Sequence, residues 1–153
     1  MTAWTVDRVP VHEILPLRHK VLRPNRDFDT CHFPHDNDAD TIHFAIYDAA
    51  QVVGIATLLN APFRGQTPAR QVRGMAVEPA YRRKAVGLAL LDACIAEAET
   101  AGVDILWCNA RLIAVPFYRR RLFDTVGEQF IIEGIGPHYL MRRRIDSART
   151  PTP

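Results

Sequence analysis

The sequence predicts an α/β or α+β fold built on one mixed sheet. Three observations carry that prediction. Short segments rich in β-branched and aromatic residues are bounded by turn residues. Two segments carry apolar residues at helical spacing. These two kinds of segment follow one another without repeats, linkers or low-complexity blocks.

Taken in order, "AWTVDRV" (3–9) reads as a short first strand. "VHEILPLRHKVLR" (11–23) places Ile14, Leu17 and Val21 on one helical face, and Pro16 predicts a short or kinked helix. Residues 24–40 are polar, with two prolines and five aspartates, and read as loop. Three strands follow, "TIHFAIYD" (41–48), "VVGIATLLN" (52–60) and "ARQVRGMAVE" (69–78). Gly74 lies inside the third, where a glycine marks a bulge or a close backbone approach. Residues 86–101 are helical: Leu88, Leu91, Ile95 and Ala98 share one face, Asp92 and Glu99 lie on the other, and Gly102 ends the helix. "VDILWCNA" (103–110) is a strand, and "VPFYRRRL" (115–122) is a short helix with Pro116 in its first turn. Two strands, about 126–133 and 138–145, complete the sheet.

The chain has 153 residues, 48% hydrophobic and 24% charged, which suits a single globular domain over residues 1–146 with a flexible tail at 147–153. No apolar run reaches the roughly 18–20 residues that cross a bilayer, and the first residues lack a signal-peptide core. A cytoplasmic protein without a membrane partner is expected. Cys31, Cys94 and Cys108 have no metal-type spacing and suit free thiols in a reducing compartment. Asp36, Asp38 and Asp40 alternate but lack the calcium-loop pattern, so no metal is expected. A net charge of +2 argues against a nucleic-acid partner, whereas arginines clustered at 82–83, 119–121 and 142–144 suit a phosphate-bearing ligand.

"YRRKAVGLALL" (81–91) concentrates that chemistry. A helix N-terminus offers unpaired amides and a positive dipole end; small residues before it let a phosphate approach, and cations beside it add attraction. No G-x-x-x-x-G-K-[ST] or G-x-G-x-x-G pattern is present, so neither a P-loop nor a dinucleotide fold is indicated. A solvated basic helix start is the competing reading of this segment.

"MAVEPAYRRKAVGLALL" and, further on, "NARLIAVPFYRRRLF" together resemble the GNAT superfamily of acyl-CoA-dependent N-acyltransferases. The family's Q/R-x-x-G-x-G/A motif falls on Arg82-Arg83-Lys84-Ala85-Val86-Gly87, and its FYxxxGF segment on Phe117 to Phe123. "LRHKVLRP" and "GIGPHYLM" resemble a bacterial subgroup of largely unassigned acetyltransferases. The resemblance implies a GNAT-type fold with a mostly antiparallel central sheet, acetyl-CoA as cofactor and an amine as acceptor. Homodimers are frequent in the family. Two positions depart from the pattern: Ala85 replaces the first motif glycine, and Leu122 the glycine before Phe123. The helix is therefore expected to end differently at Leu122.

By the same resemblance, Met75, Ala76 and Val77 offer backbone groups to the pantetheine and the thioester carbonyl, entering where this strand and the one at 105–109 splay apart. Arg82, Arg83, Lys84, Ala85, Val86, Gly87 and Leu88 hold the pyrophosphate. The family's asparagine near the pantetheine aligns with Arg111, with Asn109 two residues earlier; the choice between them stays open. Tyr118 matches the family's tyrosine and is the proton donor to the leaving thiolate, with packing on the pantetheine as the competing reading. Histidine is the side chain suited to base work near neutral pH, and His138 is open to two readings, a substrate contact or base, or a structural hydrogen-bonding residue. Glu78 reads as a turn carboxylate, with base work as the alternative, Leu106 stands where some relatives carry a glutamate, and His43 reads as a satisfied core or face residue. Cys108 has no evident histidine partner, so direct transfer is expected over a covalent intermediate. The aspartate loop is open to two readings, a lure for a cationic amine or a solvated loop. A non-catalytic acyl-CoA-binding module is the alternative function.

Overall fold

Pro16 does not break the first helix. In the computed structural model, which describes residues 3–145, a three-residue strand β1 (Asp7–Val9) leads into α1 (Val11–Leu22), and Pro16 lies inside it. An interior proline costs about 3 kcal/mol. Packing of Ile14 and Leu17 against Ala45, Ile55 and Ala76 offsets that cost.

The remaining elements are β2 (Ile42–Asp48), β3 (Gln51–Asn60), β4 (Ala69–Val77), α2 (Val86–Ala101), β5 (Ile105–Arg111), α3 (Val115–Arg119), β6 (Asp124–Ile132) and β7 (Gly136–Arg144). Short 3₁₀ turns occupy Phe28–Cys31, Pro79–Tyr81 and Leu112–Ala114. The strands form one mixed sheet in the order β1-β2-β3-β4-β5-β7-β6. The expected α+β class, built on one mixed sheet, is thus observed. The tail expected at 147–153 lies outside the described residues.

Contacts divide the chain into two units. The first comprises residues up to Asn60 together with Val72–Ala96. Here β1 and β2 pair antiparallel, and β2 runs antiparallel to β3 from Ile42↔Leu58 to Asp48↔Gln51. β3 is buried from Val53 through Leu59, as expected for a strand covered on both faces. Gly54 lets α2 approach: a Cβ there would lie 2.4 Å from Val86 Cγ1 and 2.9 Å from Leu90 Cδ1.

The second unit comprises Ala61–Gln71 and the chain from Glu97 onward. The first three residues of β4 pair parallel with Ile105, Leu106 and Trp107 of β5. β5 then pairs antiparallel with β7, from Ile105↔Arg144 to Arg111↔His138, and β7 pairs with β6. Phe63, Ala69 and Ile105 form its core with Trp107, Val126 and Leu140 against them.

Two expectations need adjustment. β1 covers only Asp7–Val9 of the expected 3–9, because Trp4 turns away and donates its indole N–H to the Lys84 carbonyl at 2.7 Å. The helix at 115–122 closes its regular part at Arg119. Its C-terminal turn is left-handed at Leu122, at φ +68°, a conformation that glycine takes readily. The expectation of a different helix end is overturned.

Candidate active site

In the first unit, the segment after β4 turns through Pro79–Tyr81 and enters α2 at Val86. Arg82, Arg83, Lys84 and Ala85 are exposed, whereas Val86 and Leu88 are buried. Arg83 and Ala85 both sit in the left-handed region, at φ +62° and +65°. Ala85 stands where the motif has glycine, and its positive φ is one that glycine adopts without a Cβ penalty. The first ladder bond of α2 runs from the Ala89 amide to the Ala85 carbonyl at 3.1 Å. The amides of Val86, Gly87 and Leu88 precede it and lack intrahelical acceptors. No acidic residue occupies the first turn to oppose an anion. These residues fit a pyrophosphate. Met75, Ala76 and Val77 end β4 just before this loop.

The loop is braced. Trp4 meets Tyr81 edge to face at 6.1 Å, and the Lys84 ammonium lies 5.5 Å from the Tyr81 ring centroid. The Tyr81 hydroxyl donates to the Asp48 carboxylate. Glu78 is mostly buried and ion-paired with Lys20 of α1, so its carboxylate is engaged at that turn.

A buried polar network, not anticipated from the sequence, lies beneath the aspartate loop. Arg18 is fully buried and donates to Asp36 Oδ2 at 2.7 Å, the Cys31 carbonyl at 2.8 Å and Thr57 Oγ1 at 2.9 Å. Arg73 donates to Asp36 Oδ1 at 2.9 Å and to the Pro34 carbonyl. The guanidinium carbons of Arg18, Arg23 and Arg73 lie 4.1, 5.4 and 5.5 Å from the Phe33 ring centroid. Burial tends to raise the Asp36 carboxyl, but bonds from Arg18, the Phe33 amide and Arg73 bring it below its ordinary value.

His43 belongs to the same network and is satisfied, as expected. Its Nε2 meets the Asp36 carbonyl at 2.9 Å and its Nδ1 the Thr57 hydroxyl at 2.8 Å. A carbonyl only accepts, which assigns the proton to Nε2 and makes Nδ1 the acceptor. Burial pushes its pKa down, so the ring is held neutral. Asp36 therefore serves the loop's own anchoring, and Asp38 pairs with His35 at 2.9 Å. Gly74, at φ +62°, is required here on two counts. It supplies the left-handed turn, and a Cβ would meet Arg18 Nε at 3.2 Å.

The second unit carries Tyr118, His138 and Asn109. Tyr118 lies near the end of α3, and its hydroxyl is hydrogen-bonded to the Cys108 thiol of β5. Burial pushes that thiol far above its ordinary value despite the tyrosine, so Cys108 stays protonated at neutral pH. His138 is buried; its Nδ1 donates to the Gly136 carbonyl at 2.8 Å and its ring stacks on Phe130 at 5.9 Å. That bond leaves Nε2 as the lone-pair nitrogen. His138 stands opposite Arg111 across the β5–β7 ladder. Asn109 is exposed on β5, and Leu106 is fully buried. Arg142 covers the Phe63 ring at 5.7 Å, and Arg143 donates to the Arg121 carbonyl at 3.1 Å.

The family model described as "Acetyltransferase (GNAT) family" matches residues 9–123. The chain belongs to the GNAT acetyltransferase family. A GNAT relative from Bacillus subtilis (strain 168), "Uncharacterized N-acetyltransferase YitI", is 27% identical over 146 residues, covering 94% of this chain and 98% of the relative. Among solved GNAT folds, the ribosomal-protein-S18-alanine N-acetyltransferase from Escherichia coli superposes with a TM-score of 0.75 at 18% identity, over 99% of each chain. An aminoglycoside 6'-N-acetyltransferase complexed with coenzyme A gives 0.75 at 12% identity, over 97% of this chain and 99% of that one. At these identities the two structures show the fold alone. Family and relatives support an acyltransferase. Among the described residues, no helix is long and apolar enough to cross a membrane.

Proposed function

We propose that the chain transfers the acetyl group of acetyl-CoA directly to an amine. The observation that carries this reading is the left-handed backbone at Ala85 on the match to the family's phosphate motif, with three amides ahead of the α2 ladder. Residues 82–88 then hold the pyrophosphate, and the backbone of Met75–Val77 lies along the pantetheine arm, with Asn109 contributing. Acetyl-CoA supplies an activated acyl group and a thiolate leaving group.

The chain's own tasks follow. Backbone N–H groups of β4 polarise the reacting carbonyl. An alkylammonium with a pKa of about 10.4 is neutral in only roughly one molecule in 10³ at pH 7, so a proton must leave the amine. His138 Nε2 has the lone pair to take it. The Tyr118 hydroxyl gives a proton to the departing sulfur. Bonding of that hydroxyl to the Cys108 sulfur is compatible with the role. The protonated Cys108 supports direct attack by the amine over an acyl-cysteine route.

Thiol release from acetyl-CoA across a panel of amines tests the reading, with the acceptor-free rate subtracted. Acceptor-dependent release, with a large loss in Tyr118→Phe and CoA binding retained, is expected. A second reading, an acyl-CoA-binding module without turnover, is favoured by Leu106 in place of a carboxylate and by Glu78 held on Lys20. CoA binding without release on any acceptor would select it. A homodimer and a cytoplasmic location belong to the same proposal.

A further inference from the structure

Two strained positions lie one residue apart in the loop before α2. Arg83 and Ala85 are both left-handed, at φ +62° and +65°, and neither is glycine. For an L-residue that conformation is unfavourable and persists only where its surroundings hold it. Between them lies Lys84, whose carbonyl accepts the Trp4 indole N–H at 2.7 Å. Trp4 is 80 residues away in sequence and is fixed in turn by its edge contact with Tyr81. Tyr81 is tied to Asp48 and faced by the Lys84 ammonium.

We propose that Trp4 is a positioning residue for the phosphate cradle: its indole holds the 83–85 backbone in the conformation that a glycine at 85 would adopt unaided. The inference rests on the cofactor reading above and deepens it. A rotated Lys84 peptide would change φ at Ala85 and turn the leading amides of α2 away from a bound pyrophosphate. In a cradle with glycine the left-handed turn has no Cβ penalty and needs no brace. With alanine, the brace comes from the N-terminal segment. Trp4 touches neither reacting atom and acts only through the loop.

The test is a double-mutant cycle of Trp4→Phe and Ala85→Gly, read in two ways. Phenylalanine keeps the ring contact with Tyr81 and removes the donor. Calorimetry with CoA reads affinity, and urea unfolding without CoA reads the free protein. Trp4→Phe should weaken CoA about five- to tenfold with Ala85 present, the range of one lost hydrogen bond. In the Ala85→Gly background the same change should cost less than about twofold, because glycine needs no brace. The urea midpoint should show the same rescue. Equal losses in both backgrounds, or no loss in either, would overturn the inference while leaving the cofactor reading intact. Failure of the wild-type chain to bind CoA would overturn the cofactor reading, and the inference with it.

Discussion

The amide of Phe123 donates to the carbonyl of Tyr118 at 3.3 Å, and the two rings meet edge to face at 5.5 Å. With the Leu122 amide on the Arg119 carbonyl at 3.0 Å, this is a Schellman ending, complete with its apolar contact. α2 ends the same way: Val103 bonds to Ala98, and Gly102 to Glu99, at φ +71°. The turn that fixes Tyr118 is therefore sound, but it places an exposed leucine where α2 has glycine.

Leu122→Gly should consequently stabilise the protein by about 1 kcal/mol, since the left-handed penalty disappears and little buried surface is lost. Thermal unfolding measures the gain. A decrease in stability would show that the Leu122 side chain contributes more than its backbone costs.

Asp36→Asn should destabilise by about 3–5 kcal/mol, because it removes the carboxylate bonded to both Arg18 and Arg73 in a buried site. Urea unfolding gives the value. A loss below about 1 kcal/mol, the size expected of an exposed pair, would show that the network is solvated.

Acid should weaken the fold in two stages. The folded pKa of His43 is depressed below its ordinary 6.5, so the unfolded chain takes up this proton first. Stability therefore starts to fall as pH drops below about 6.5 and stops falling, for this group, at the folded value. Asp36 is depressed below its ordinary 3.8, so its contribution is complete above that pH and is lost as pH falls through the folded value. Urea midpoints between pH 8 and pH 3, compared with His43→Gln, test the order. The variant should lose the upper stage; a wild-type profile flat through that stage would contradict the assignment.

Gly54→Ala should cost about 1–3 kcal/mol through overpacking, because its Cβ runs into Val86 and Leu90. Val86 follows Ala85 at the start of α2, so CoA affinity should fall along with the unfolding temperature. Affinity unchanged in a destabilised variant would separate the packing from the cradle.

Cys108 should resist alkylation in the native protein at neutral pH, since it is buried and protonated. Mass spectrometry after brief iodoacetamide treatment reads this directly. Rapid modification would reopen the acyl-cysteine route.

The sheet strands and α2 were legible because their signals are local. The 86–101 pattern with Gly102 gave α2 its observed limits, and turn residues bounded β2, β3 and β4 closely. The turn from β4 into α2 was legible through its proline and its basic and small residues. What escaped depends on partners distant in sequence. Arg18, Asp36, Thr57 and Arg73 share no period, and their convergence exists only in the folded chain. The left-handed turns at Ala85 and Leu122 were hidden for a different reason: a non-glycine residue does not announce a positive φ. The glycines of the family's own motifs were the one signal available, and the expectation at Leu122 ran against it. Trp4 gave no sign at all, since its partner is a backbone carbonyl.

The contact between Gly74 and Arg18 also limits how this sequence can drift. Residue 74 meets a backbone constraint from its own φ and a steric one from a guanidinium 56 residues upstream. Even a substitution that tolerates the turn would press on the arginine, which must shift by a few tenths of an ångström. Exchanging the arginine first would leave Asp36 bonded only from Arg73 and the Phe33 amide. The two sites are therefore epistatic, and whether a change at 74 is tolerated depends on what occupies position 18. Descendants of this chain should keep both residues or lose them together with the aspartate.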